Sequence, residues 1–257
     1  MAYRYELHCH TNDGSKCSDI SVKEMFKLYQ EIGYSGVCIT DHFTNPMNPL
    51  TDDASWNKRV NLSFDIYQKA FEEGKKYGLS VFFGIEYSIT PDIDHPSQTT
   101  GNDFIFLNLE KEWIMENKDA FREKTEGLFK RIHDAGGFII HAHPMFGREL
   151  RLFPYCVDAV EIINGSANSI CNENAKIYAN MYGLTETGGT DLHRYDHKIM
   201  SGVETEKPCS TIEELVNEIN ERRAKPFSIT RQITDYWQQR QYEASEARKK
   251  RMNFTAL

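Results

Sequence analysis

The sequence predicts an α/β protein whose strands close into a barrel, and three observations lead there. Short apolar runs alternate about seven times with segments of helical periodicity, the pattern of β–α units around a parallel sheet. The runs are apolar nearly throughout, as strands buried on both faces are. The 257 residues also match the roughly 250 that an α/β barrel occupies as one domain. A doubly wound open sheet is the runner-up. It loses support because no Gly-x-Gly-x-x-Gly follows the first strand and no Walker Gly-Lys-Ser/Thr occurs.

The first strand, Tyr3–His8, leaves through His8-Cys9-His10 into a polar loop over 11–20. A capping pattern, Ser21 with Glu24, then starts a helix. Its apolar stripe is Val22, Met25, Phe26, Tyr29 and Ile32, and Gly33 stops it. Strand two, Gly36–Thr40, ends in Asp41-His42, and a proline-containing loop over 43–56 follows. A helix over Lys58–Tyr77 precedes strand three, Leu79–Ile85, which ends at Glu86. A loop with Pro91, Pro96 and Gly101 leads to strand four, Phe104–Leu109, and a helix over Asp119–Ala135. Strand five, Phe138–Ile140, delivers His141, His143 and Pro144. Strand six is Ala159–Ile163, followed by a helix over Ser169–Tyr182. Strand seven, Leu184–Thr187, leads through Gly188-Gly189 to Asp191 and His193. A last strand near Ile199–Val203 and a helix with a capping box at Ser210 and Glu213 complete the pattern, which decays after Pro226. The expected organisation is a barrel over 1–228 and a helical extension or tail over 229–257.

Composition narrows the function classes. No apolar run reaches the roughly 20 residues of a membrane span, and the N-terminus lacks a signal-peptide core, so the expected location is cytoplasmic. The net charge of −8 argues against a nucleic-acid partner, and the basic run Arg248–Arg251 is too short to reverse that. Six cysteines, without a Cys-x-x-Cys pair, are expected as reduced thiols. Strand alternation turns Cys9 away from His8 and His10.

Five of the nine histidines, at 8, 10, 42, 143 and 193, stand at strand exits, where barrel enzymes build their sites. With Glu86 and Asp191 they make a seven-membered His/carboxylate set, too large for one tetrahedral ion and suited to two or three. Such clusters can hold a nucleophile and clamp a phosphoryl oxygen. Arg148, Arg194 and Lys16 are candidate phosphate ligands. His141 is read as a support for a ligand or an inward barrel residue, His133 as structural, His95 as surface, and His197 as a lining residue of the mouth.

His8-x-His10, Thr40-Asp41-His42, Gly84-Ile85-Glu86, Ala142-His143-Pro144 and Asp191-x-His193 come in the order of the PHP (polymerase and histidinol phosphatase) family. The chain resembles its small stand-alone bacterial members from about Tyr3 to Pro226. The resemblance implies a distorted (β/α)7 barrel similar to a TIM barrel, with a metal site at the C-terminal ends of the strands. It implies two or three divalent ions (Zn, Mn or Fe) and a hydrolase of phosphate esters, histidinol-phosphatase-like, acting through metal-bound hydroxide. The expected substrate is a small phosphorylated metabolite, a phosphomonoester or nucleotide. Glu86, Asp191, Arg148 and Arg194 are the expected catalytic residues. His8, His10, Glu86 and Asp191 are expected at one ion, with Glu86 bridging to a second that His143 shares, and His42 and His193 at a further ion.

Two positions depart from the family pattern. After His-x-His the loop offers only Asp13, Cys17 or Asp19 in place of the usual ligand, and the end of strand four carries Asn108 instead of a histidine. A phosphodiesterase acting on nucleic acid and a non-catalytic metal-binding protein are the alternative readings. An amidohydrolase would need a bridging lysine after a middle strand, and strands three to five have none at their exits.

Overall fold

In the computed structural model, which describes residues 2–43, 53–89, 102–146 and 152–254, three parallel strands begin the sheet. They are β1 (Tyr3–Glu6), β2 (Gly36–Ile39) and β3 (Ser80–Ile89). Helices α1 (Val22–Ile32) and α2 (Asp53–Tyr77) connect them. The Ser21 side chain accepts from Glu24 N–H at the start of α1, and Gly33, at φ 87°, ends it. β4 (Asn102–Leu107) follows β3 with only residues 90–101 between, and it pairs antiparallel with β3 and with β5 (Phe138–His141). The expected parallel sheet is therefore broken at β4. β5, β6 (Ala159–Asn164) and β7 (Thr185–Gly189) are parallel again.

The expected helix over 119–135 is two pieces, a 3₁₀ turn at Ala120–Arg122 and α4 (Thr125–Asp134), and α3 (Lys111–Glu116), which the sequence reading did not foresee, precedes them. α5 (Ser169–Tyr182) leads into β7. β8 (Ile199–Thr205) and β9 (Lys225–Thr230) form an antiparallel pair joined through α6 (Ile212–Asn220), and β8 pairs with β1. The capping box of α6 lies one residue later than expected, at Thr211 and Glu214. β9 spans residue 228, where the barrel was expected to end, and α7 (Asp235–Phe254) follows. Trp237 of α7 is buried in the same cluster as Phe26, Tyr29 and Tyr195.

The nine strands run in the order β7-β6-β5-β4-β3-β2-β1-β8-β9, a nearly closed, barrel-shaped sheet. Past the ends of β1 and β7 a parallel bridge joins Cys9 to Leu192. Asp191 N–H donates to His8 O at 2.7 Å and His10 N–H to Leu192 O at 3.1 Å. The chain leaving β1 and the chain leaving β7 therefore meet at the candidate ligands. Buried Glu6 reinforces this seam, accepting from Thr190 N–H at 2.8 Å, His8 N–H at 2.9 Å and the Tyr29 hydroxyl at 3.1 Å. Among the described residues no helix is long and apolar enough to cross a membrane.

Candidate metal centre

All seven expected ligands gather at one end of the barrel. Their donor atoms form three overlapping groups: His8, Glu86 and His143; His8, His10 and Asp191; and His10, His42 and His193. Within each group the atoms lie within 4.8 Å of one another. The grouping differs in detail from the expected one, since His10 joins His42 and His193 as well as Asp191.

Strand geometry explains the convergence. His8 and His10 alternate past β1 and share a face. His42 and Glu86 are bridged as β2 and β3 run on in parallel. His143 and Asp191 both adopt positive φ, 26° and 54°, conformations that cost energy for a residue with a Cβ and cluster at functional sites. Each is held by a bond from its own N–H, His143 to Glu161 Oε2 at 2.8 Å and Asp191 to His8 O.

A second layer orients the imidazoles. His8 Nδ1 donates to Glu161 Oε1 at 3.1 Å, because a carboxylate can only accept, so in the neutral imidazole Nε2 carries the lone pair. His10 Nδ1 lies 3.1 Å from Ser15 Oγ, whose hydroxyl donates to Asp41 Oδ1 at 2.7 Å. Ser15 is therefore the acceptor, and His10 Nε2 is again the lone-pair atom. His193 Nδ1 donates to Asp191 O at 3.0 Å. Asp41 also accepts from Thr11 N–H and Oγ1–H, both at 2.7 Å, which pins the first loop to β2.

The lone-pair atoms face one another instead of pairing. His8 Nε2, His10 Nε2 and Glu86 Oε2 are buried and have no hydrogen-bond partner among the described residues. Yet His8 Nε2 is 3.1 Å from Glu86 Oε1, His10 Nε2 is 3.3 Å from Asp191 Oδ1, and His42 Nδ1 is 2.5 Å from Glu86 Oε2. Acceptors aimed at common points are what a divalent cation requires. The residues present therefore fit the metal that the donor chemistry implies.

Charge agrees. Burial would raise Glu86, but His42, His8 and His10 hold its carboxyl well below the usual range, and His8 and His10 do the same for Asp191. Burial would lower His8, but Glu161, Asp191 and Glu86 hold it well above its ordinary value. His10 is pushed down to about 3 by burial and by neighbouring His42. Glu86 lifts His42 to about 11 against burial. The site thus concentrates negative charge out of water, balanced by cationic groups.

Several groups escaped the sequence reading. Asp103, at the start of β4, has its Oδ2 3.8 Å from His143 Nε2. Asn108, by contrast, donates to Gly136 O at 2.8 Å. An antiparallel strand brings its first residues, not its last, to the site. Glu161 accepts from His8, His143 N–H and Asn164 Nδ2 at 2.9 Å, and so ties β6 to both ligands. Gly188-Gly189 supplied a signal for it. A Cβ on Gly189 would strike Glu161 Oε1 and come within 2.5 Å of His8 Cβ. Cys17 stands against His42 and His193, which hold its thiol down to about 6 although burial opposes them.

Arg194 is exposed next to His193, and among the described residues its side chain has no partner. Arg148 and His95 lie outside the described residues. Lys16 is exposed. His141 is neither a ligand support nor an inward residue. It stacks on Phe104 at 4.6 Å and meets Tyr178 edge-on. His133 pairs with Asp158 at 2.9 Å, as a structural histidine does.

A family model for the PHP domain matches residues 6–216. The chain belongs to the PHP domain family. Among solved structures, PsfC from Pseudomonas syringae PB-5123 aligns with a TM-score of 0.58 and 13% identity, covering 97% of this chain and 98% of that one. A two-domain protein from Bacteroides vulgatus ATCC 8482, containing a predicted PHP-like metal-dependent phosphoesterase, aligns at 0.59 with 16% identity over 88% of this chain. This PHP chain spans only 65% of that protein's length. An amidohydrolase from Chromobacterium violaceum, solved with sulfate and no metal, aligns at 0.54 with 12% identity, over 91% and 99%. At these identities the likenesses establish the fold. No curated protein matches the chain.

Proposed function

We propose that this PHP protein is a metal-dependent phosphoesterase acting on a small phosphorylated metabolite, a phosphomonoester or nucleotide. The observation that carries the reading is the set of three overlapping donor groups, with buried lone pairs aimed at common points. His8, His10, Glu86 and Asp191 would hold one divalent ion, with Glu86 reaching toward a second position that His143 shares. His42 and His193 would hold a further ion. Bound there, zinc, manganese or iron supplies Lewis acidity and an activated water at neutral pH.

The chain's own groups do the rest. Glu86, with its oxygens toward His8, His143 and His42, spans neighbouring positions. Glu161 and the Ser15–Asp41 pair hold the proton on Nδ1 of His8 and His10, and so keep Nε2 available. Arg194, exposed next to His193, is proposed to bind non-bridging phosphate oxygens through its planar fork. Arg148 is proposed for the same task. The net charge of −8 favours a small ester over nucleic acid.

Elemental analysis of the purified chain, paired with phosphomonoester hydrolysis on the same sample, tests the reading. Two or more ions per chain with metal-dependent turnover are expected, and Glu86→Gln is expected to lose both. Full metal content and full turnover in that variant would refute the assignment.

A further inference from the structure

α5 is apolar on two faces. Ala175, Tyr178 and Ala179 make the inner one, packed in one cluster with Val160 and Ile162 of β6. Ile170, Ile177 and Met181 stand at i, i+7 and i+11 and so form a second stripe. This stripe faces water, its members being 68%, 52% and 73% exposed. Exposed Tyr182 and Tyr155, the latter at 89%, extend it past the C-terminal end of the helix, with their rings edge-on at 6.0 Å. Among the described residues these are five of the ten large apolar side chains left in water, so the exposure is concentrated in one place. Together they present on the order of 600 Å² of apolar surface, as much as a monomer usually leaves open and close to the roughly 800 Å² that each side of a standard interface buries.

The stripe is complementary to itself. Asn174, at i+4, completes its row. In an antiparallel pairing about a two-fold axis crossing the middle of the helix, Ile170 of each copy meets Met181 of the other, and Asn174 meets Ile177. Glu173 and Lys176 are exposed and flank the row on one side, and neither has an ion-pair partner among the described residues. Flanks on the same side meet in an antiparallel pair, so Glu173 of each copy comes beside Lys176 of the other, twice over. These two are the only charged residues of α5. The face is therefore neutral in a chain of net charge −8, and two copies can approach by it with little repulsion.

We propose that the outer face of α5 is the interface of a homodimer. α5 packs antiparallel on α5 of a second copy, and Tyr155 and Tyr182 of each copy close over Ile170 of the other. The occupant is a second copy because the charges and the apolar row match under the same two-fold operation.

Sedimentation velocity of the full chain over a dilution series tests this. Twice the chain mass is expected, falling to the monomer on dilution. Ile177→Glu sets a carboxylate from each copy into the apolar row and is expected to raise the dissociation constant at least about thirtyfold. Glu173→Lys alone and Lys176→Glu alone each bring like charges together and are expected to raise it about five- to tenfold. The double exchange, Glu173→Lys with Lys176→Glu, rebuilds both pairs and is expected to return it to within about twofold of wild type. All these variants alter exposed side chains, and a thermal melt confirms each fold. A wild-type chain that stays monomeric at every concentration overturns the proposal, as does a dimer that survives Ile177→Glu. A dimer that Ile177→Glu breaks but the double exchange does not restore overturns the antiparallel pairing.

Discussion

Glu161→Gln is the sharpest probe of how the centre is organised. Glu161 accepts three bonds, one at Oε1 from His8 Nδ1 and two at Oε2 from His143 N–H and Asn164 Nδ2. A glutamine has one acceptor oxygen and one NH2 group. If its oxygen turns to the pair of donors, its NH2 faces His8 Nδ1. That nitrogen must then accept, the imidazole proton moves to Nε2, and the lone pair aimed at Glu86 is lost. If the oxygen turns to His8, two N–H donors confront an NH2 group in a buried site. Two donors outweigh one, so the first orientation wins and His8 carries the wrong tautomer. Removing such an outer partner typically costs about 10–100-fold in metal affinity, or about 1.4–2.7 kcal/mol. Competition with a chromophoric chelator measures it for the ions at His8, and a thermal melt of the metal-free chain confirms the fold. Affinity within about twofold of wild type, in a well-folded variant, would refute the argument that Glu161 sets the His8 tautomer.

Other consequences are measurable. Gly189→Ala forces a methyl carbon against Glu161 Oε1 and His8 Cβ. Overpacking of this kind costs about 1–3 kcal/mol, so Tm should fall and metal content with it; an unchanged melt with full metal content would contradict the packing. Arg248→Ala strands the buried Asp19 carboxylate at a cost of about 1–2 kcal/mol. Hydrogen exchange should then quicken in residues 12–20 but not in β3, and uniform exchange would show that α7 does not brace the loop. His133 is raised by its bond to Asp158. Its stabilisation is complete below its unfolded pKa of about 6.5 and fades as pH rises through the folded value. His133→Gln should therefore close the gap to wild type in urea midpoint as pH climbs from 6 to 9; a constant gap would show that the pair is uncharged throughout.

The ligands were legible because each sits where an apolar run stops. A parallel strand delivers its last residues to the mouth, so His8, His42, Glu86 and His143 could be read from their positions alone. Direction is what periodicity does not encode. β4 looks like its neighbours in composition, yet runs the other way, so Asp103 at its start, not Asn108 past its end, lies toward His143. Glu161 was hidden because it lies inside an apolar strand, where a lone carboxylate gives no pattern; only its neighbours on other strands reveal its task. His141 misled for a related reason. Two residues from His143, it should share its face, but the positive φ of His143 breaks the alternation and leaves His141 among aromatic rings. β9 and α7 were faint because one is short and half-exposed and the other largely polar, with few buried anchors such as Trp237 to mark them.

The seam between Cys9 and Leu192 has a bearing on biosynthesis. Candidate ligands that follow β1 and β7 meet across it, and Asp191 N–H bonds to His8 O there. A chain still growing from the ribosome carries His8 and His10 long before Asp191 and His193 are made. Early fragments hold no complete donor group of the kind that includes either residue, so metal capture at those positions would follow the meeting of β1 with β7 and stabilise it against reopening.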